Sequence, residues 1–135
     1  MKNLLKVMAS GLLLFALSAC STDGSDYAFT TKPNERVGLA LPDETRVRIN
    51  AGTGLDYNVK KFDRELSIEG EAFFQVANQS ASFTIETANG KVFVPRSAEV
   101  NVWSRGDILE VSVFGGNAEI RTKGNKVIKS LTMGR

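Results

Sequence analysis

An all-β fold, built as an antiparallel β-sandwich, roll or solenoid-like domain, is what this sequence predicts, and three observations carry the expectation. Between Arg64 and Ala77, the residues Leu66, Ile68, Gly70, Ala72, Phe74 and Val76 share one parity, and Ser67, Glu69, Glu71 and Gln75 share the other. That is the period-two signature of a half-buried strand, or of a strand pair bent at Gly70. Turn-forming clusters recur about every ten residues from Pro42 onward, among them Asn89-Gly90, the strongest short hairpin signal in the chain. No stretch beyond the amino-terminal segment repeats its apolar residues at the helical period.

The chain opens differently. Residues 1–19 carry Lys2 and Lys6, an apolar run from Leu12 to Leu17, and the small pair Ser18 and Ala19. This is a secretory signal, too short to span a bilayer stably. Leu17-Ser18-Ala19-Cys20 resembles the lipobox of bacterial lipoproteins, whose signal is cut just before a cysteine lipidated on its sulfur. Cys20 is the single cysteine among 135 residues, and exported proteins seldom keep an exposed lone thiol. The resemblance implies lipid attachment at Cys20. Several acyl chains, at about 0.8 kcal/mol per buried methylene, make such an anchor effectively permanent, so the mature protein is tethered to the membrane and does not span it. Ser21 in place of an aspartate favours the periplasmic face of the outer membrane. With no second cysteine, the fold is expected to stand without disulfides.

Loss of the signal removes two lysines, so the 17 basic residues fall to 15 and equal the 15 acidic ones. A neutral chain lacks the basic face that nucleic-acid binding requires. Residues 20–35 are rich in Ser, Thr, Asp, Gly, Lys and Asn and are expected to form a flexible tether. The remaining residues 36–135 suffice for one domain with its own core.

Within that domain, Val37 to Leu41 and Thr45 to Ile49 form a hairpin about the Pro42-Asp43-Glu44 turn, with Val47 and Ile49 inward and Arg46 and Arg48 outward. Gly52-Thr53-Gly54 is a turn, since a phosphate loop needs further glycines or Gly-Lys-Ser/Thr opening a helix. Leu55, Tyr57 and Phe62 anchor the approach to Arg64. Phe83 to Thr87 pairs with Lys91 to Val94 through Asn89-Gly90, and Pro95 ends the ladder. Glu99 to Trp103 turns at Ser104 to Asp107 into Ile108 to Val113, with Leu109, Val111 and Val113 on one face. Gly115-Gly116-Asn117 reads as the next turn, before Ala118 to Arg121, Gly124-Asn125, and Val127 to Leu131.

Several of these pieces, in order, resemble the periplasmic domain of the FecR family, regulators of iron uptake in bacterial cell-surface signalling. Leu41-Pro42-Asp43-Glu44-Thr45-Arg46-Val47 with Asn50-Ala51 is similar to the family's opening motif. The stretch Arg64 to Val76 resembles its best marker, R-x-V-x-L-x-G-E-A-Y-F-E-V. Phe83 to Thr87 and Val111 to Ala118 resemble two later motifs, and the likeness runs from about Leu39 to Ile120. Ser82, Ser97-Ala98 and Gly115 depart from the family's residues at their positions. Gly70, Glu71, Phe74 and Gly116 are read as structural motif positions, and Gly70 is expected to need a backbone angle or close packing that a side chain would disturb. The resemblance implies the fold and protein binding. The family's cytoplasmic segment that binds a sigma factor and its transmembrane helix are not expected in this chain.

Sites of chemistry are scarce. The chain has no histidine, which excludes triads and imidazole metal sites. Glu69 and Glu71 would share a face on one strand and are expected to be solvated. No Asp-rich loop suggests calcium, and no cofactor is implied. Phe73, Phe93, Trp103 and Phe114 fall outside the main apolar stripes, and burial of both sheet faces in a two-layer fold is their expected fate. Exposed together, they would instead form a patch for a partner or a sugar ring. Arg121, Lys123, Lys126, Lys129 and Arg135 make the end of the chain basic, as expected of a solvated edge. Three functions follow in order of support. The first is a non-enzymatic, lipid-anchored module that binds another envelope protein in signalling or transport regulation. The second is a carbohydrate or peptidoglycan binder, and the third, an enzyme, lacks an assembled nucleophile and base.

Overall fold

The computed structural model describes residues 26–132, and Cys20, the signal segment and Arg135 lie outside them. Its ten strands are β1 (Asp26–Thr30), β2 (Val37–Ala40), β3 (Arg46–Ile49), β4 (Gly54–Asn58), β5 (Glu65–Val76), β6 (Phe83–Thr87), β7 (Gly90–Val94), β8 (Ala98–Arg105), β9 (Ile108–Arg121) and β10 (Val127–Thr132), and no helix occurs among the described residues. They form two layers. One runs β1-β4-β5-β6-β7-β9-β10, the other β2-β3-β5-β8-β9. The two longest strands belong to both. β6 and β7 on one side and β8 on the other therefore close a small circuit between β5 and β9.

Strand β5 enters the first layer at Glu65, where Leu55 pairs with Ile68, and leaves it at Gly70, from which residue to Val76 it pairs with β8 in the second. Its alternation never breaks across the change. Leu66, Ile68, Ala72, Phe74 and Val76 all point into the space between the layers, where Phe83, Ile85, Val92, Val94, Val100 and Val102 meet them fully buried. Burying each such side chain is worth about 1.5–3 kcal/mol. Gly70 is the hinge: its φ of 128° suits glycine alone, and a Cβ there would lie 2.8 Å from the Thr53 Cα.

Strand β9 makes the same passage by other means. Leu109, Val111 and Val113 face inward, yet beyond the glycines the inward parity belongs to Ala118. The pairing of Glu99 with Gly115 and of Val100 with Val113 leaves Phe114 as an extra residue, a β-bulge. Gly115-Gly116-Asn117 is thus not the turn expected from its composition. At Gly116, whose φ is 73°, a Cβ would run into the Ser97 carbonyl and lie 2.9 Å from the Ala98 Cα, so the strand continues through a position that only glycine fills.

A further expectation is corrected. The tether ascribed to residues 20–35 extends too far, because β1 pairs antiparallel with β4 from Asp26↔Asn58 to Thr30↔Gly54. The buried Thr31 then locks the next turn, its hydroxyl donating to the Asn50 carbonyl at 2.7 Å and accepting from the Thr53 amide at 2.8 Å. A ladder needs backbone groups and not apolar side chains, which is why a polar composition concealed it. The all-β expectation holds, and within the otherwise antiparallel pairing of the described strands β5 and β6 run parallel from Glu65↔Thr84 to Ser67↔Glu86, across the loop that carries Asn78 to Ser80.

Gly70→Val forces a side chain onto the Thr53 backbone and into a disfavoured φ. The variant is expected to lose roughly 3–5 kcal/mol of stability, measurable by urea denaturation, and an unchanged midpoint would show that the crossing tolerates a side chain.

Candidate functional site

The second layer turns its outer face to solvent, and its residues stand in rows set by strand register. Arg46, Gln75 and Glu99 form one row, Arg48, Phe73, Asn101 and Ser112 the next, and Glu71, Trp103 and Glu110 the third. Phe114 continues the outward parity of Glu110 and Ser112 onto this face, where it is 55% exposed and its ring lies 6.0 Å from that of Phe73. Arg48 caps Phe73 from the other side at 5.8 Å. A groove of about 380 Å³ runs alongside, lined by Arg36, Arg48, Asn50, Phe73 and Asn101.

What holds this face rigid is Glu71. Its carboxylate accepts from Asn50 Nδ2 at 2.6 Å and from Asn101 Nδ2 at 2.8 Å, tying three strands' worth of chain together. Its amide donates to Thr53 Oγ1 at 2.9 Å, the same hydroxyl that abuts Gly70. Glu69 does not join it. The change of layer at Gly70 leaves Glu69 exposed, opposite Gly54 on the first layer. The two carboxylates therefore form no catalytic pair.

The aromatic residues separate in the same way. Phe73, Trp103 and Phe114 lie on the second layer's outer face, which no further layer covers among the described residues, against the expectation of burial. Phe93 sits on the first layer beneath Arg121, whose guanidinium carbon is 3.6 Å from the ring centroid. Arg121 also pairs with Glu119 at 2.7 Å, so it is not part of a free basic tail. Lys123, Lys126 and Lys129 are exposed at the β10 edge. Of the motif positions, Gly70 and Glu71 meet at Thr53, Phe74 is buried 6.4 Å from the Phe83 ring, and Gly116 lies at the β9 bend.

Sequence reasoning missed Arg64. It is buried, 6% exposed, at a φ of 64°. One guanidinium nitrogen lies 3.2 Å from Asp43 Oδ2 and the other donates to the carbonyls of Ala77 and Arg96, while the group stands 5.5 Å over the Phe83 ring. Asp43 in turn accepts from the Thr45 amide and hydroxyl, and Thr45 Oγ1 accepts from the Ala77 amide. Four loops are pinned at one point. Its sequence signal was the arginine that heads the stretch resembling the family's marker, and an arginine opening a strand reads equally well as a solvated flank.

Titration adds little chemistry. Burial, then the Asp63 and Glu86 carboxylates, push the Glu65 carboxyl above its ordinary value against the pull of Lys91. The fold thus favours its protonated form, a contribution lost as pH rises through the raised value. Among the described residues no group of three or more Cys, Asp or Glu side chains could hold a metal ion, and no helix is long and apolar enough to cross a membrane. The arrangement offers a rigid aromatic and charged surface.

The family model described as FecR protein matches residues 27–119. No curated protein matches the chain. Two crystal structures of a candidate anti-sigma factor from Parabacteroides distasonis are similar to it, with 29% and 30% identity and TM-scores of 0.72 and 0.71. The alignments cover 80% and 79% of this chain and 52% and 51% of those chains, so this chain spans about half their length.

Arg64→Met leaves Asp43 buried without its cation. Losing one partner of a buried pair costs about 3–5 kcal/mol, and the double variant Arg64→Met, Asp43→Asn is expected to lose less than the sum of the two singles. Strict additivity in thermal or chemical denaturation would mean that the two side chains do not interact.

Proposed function

The chain belongs to the FecR protein family, and on that footing we propose that it is a non-enzymatic regulatory protein of the bacterial cell envelope, lipid-anchored through Cys20, that works in signalling by binding another protein. The outer face of the second layer carries this reading. An aromatic pair, the exposed Phe114 and the half-buried Phe73, stands on a layer stiffened by the Glu71 hydrogen bonds and flanked by charges. Rigid aromatics with a charged surround are what protein recognition uses. The likeness to a candidate anti-sigma factor supports a regulatory role. The lipobox-like residues before Cys20 support the anchor, and Ser21 favours the periplasmic face of the outer membrane.

A second reading has its own support. The groove beside Phe73 joins an aromatic ring to Arg48, Asn50 and Asn101 side chains, a combination suited to a sugar ring. Co-sedimentation with purified peptidoglycan, abolished in Phe73→Ser, is its expected signature.

Two measurements test the main proposal. Cys20→Ser is expected to abolish palmitate labelling and release the protein from membranes, and retained labelling would refute the anchor. A photo-activatable phenylalanine analogue at position 114 is expected to yield a protein adduct in intact cells that the same analogue at Val59, exposed on the other side of the fold, does not. Equal labelling from both positions, or none, would remove the docking face.

A further inference from the structure

The outer face of the second layer has a symmetry of its own. Its order is β2-β3-β5-β8-β9, with β5 in the middle. A two-fold axis along β5 and in the plane of the face would bring β3 opposite β8 of another copy and β2 opposite β9. Residues in one register row would then meet residues of the same row. Arg46 and Glu99 share a row, one strand to either side of β5, so Arg46 of each copy would face Glu99 of the other. Both are exposed, and neither has an ion-pair partner among the described residues.

The shape follows the charge. Phe114 projects from β9, and the outward residues of β2, which the same operation places opposite it, are Gly38 and Ala40, both exposed and both small. Phe73 lies on β5 itself and would meet Phe73 of the second copy. A protruding ring thus finds a flat strand, twice, around a central aromatic contact. Aligned packing of two twisted sheets preserves this correspondence near the axis.

We propose that this face binds a second copy of the chain, a deepening of the docking role that rests on the face being a protein-binding surface. Five strands at ~4.8 Å spacing and about five residues of ~3.3 Å rise present roughly 400 Å² per copy. That is the size of a weak, reversible contact, which tethering of both copies to one membrane would favour.

The test uses the full chain in detergent micelles with the photo-activatable analogue at position 114. Self-adducts are expected, and Arg46→Glu or Glu99→Arg alone is expected to reduce them about tenfold, since each sets like charges opposite one another twice. Mixing the two variants restores opposite charges at both contacts, and the adduct is expected to return between differently tagged chains. This rescue cannot come from misfolded protein. Self-adducts unaffected by either charge reversal, or singly reduced but not rescued by mixing, would overturn the proposal. An adduct in cells only to a different protein would overturn it while leaving the docking function standing, whereas no adduct anywhere would defeat both.

Discussion

The backbone of Gly70 passes so close to Thr53 that no side chain fits between them, and the rest of the structure depends on that approach. A strand can belong to two layers only if its ladder changes partners without its side chains changing sides. At Gly70 the chain takes a φ open to glycine and swings from β4 and β6 to β3 and β8. The inward residues on both sides of the bend then share one core. Thr53 completes the joint, because its hydroxyl accepts from the amide that follows the glycine.

The same joint organises the outer face. Glu71, the residue after the hinge, is the first whose side chain reaches the second layer's exterior, and its carboxylate ties Asn50 to Asn101. A buried or half-buried polar network is worth keeping only when its members are satisfied, and here both amide groups are. The reward is precision in the row above it, where Phe73 meets Phe114. Strand β9 supplies the other half: Phe114 keeps the outward parity of Ser112, and the bulge beside it lets the strand pass on to the first layer with Ala118 inward.

At the opposite end of β5, Arg64 performs a comparable task with charge. Its guanidinium reaches Asp43 and two carbonyls from other loops, at a site where desolvation penalises any unpaired group. The segments at Asp43, Ala77 and Arg96 are joined by this one side chain. The parallel pairing of β5 with β6 starts beside it, with the Thr84 amide donating to the Arg64 carbonyl. One end of the strand is thus closed by polar contacts and the middle by steric ones.

Alternation from Leu66 to Val76, the Asn89-Gly90 hairpin and the outward Arg46 and Arg48 were legible in the sequence because each depends on residues close together along the chain. So was the family, whose marker is a run of neighbouring residues. Tertiary structure alone decided the rest, since it turns on which distant segments meet. The strand at Asp26–Thr30 exists because β4 offers an edge, not because its own residues demand one. Gly115-Gly116 has the composition of a turn, and only its pairing with Glu99 and Ala98 keeps it within a strand. Glu69 and Glu71 look like a pair until the hinge between them sends one to each layer. Phe73 and Phe114, far apart in sequence, become a surface only when β5 and β9 flank β8.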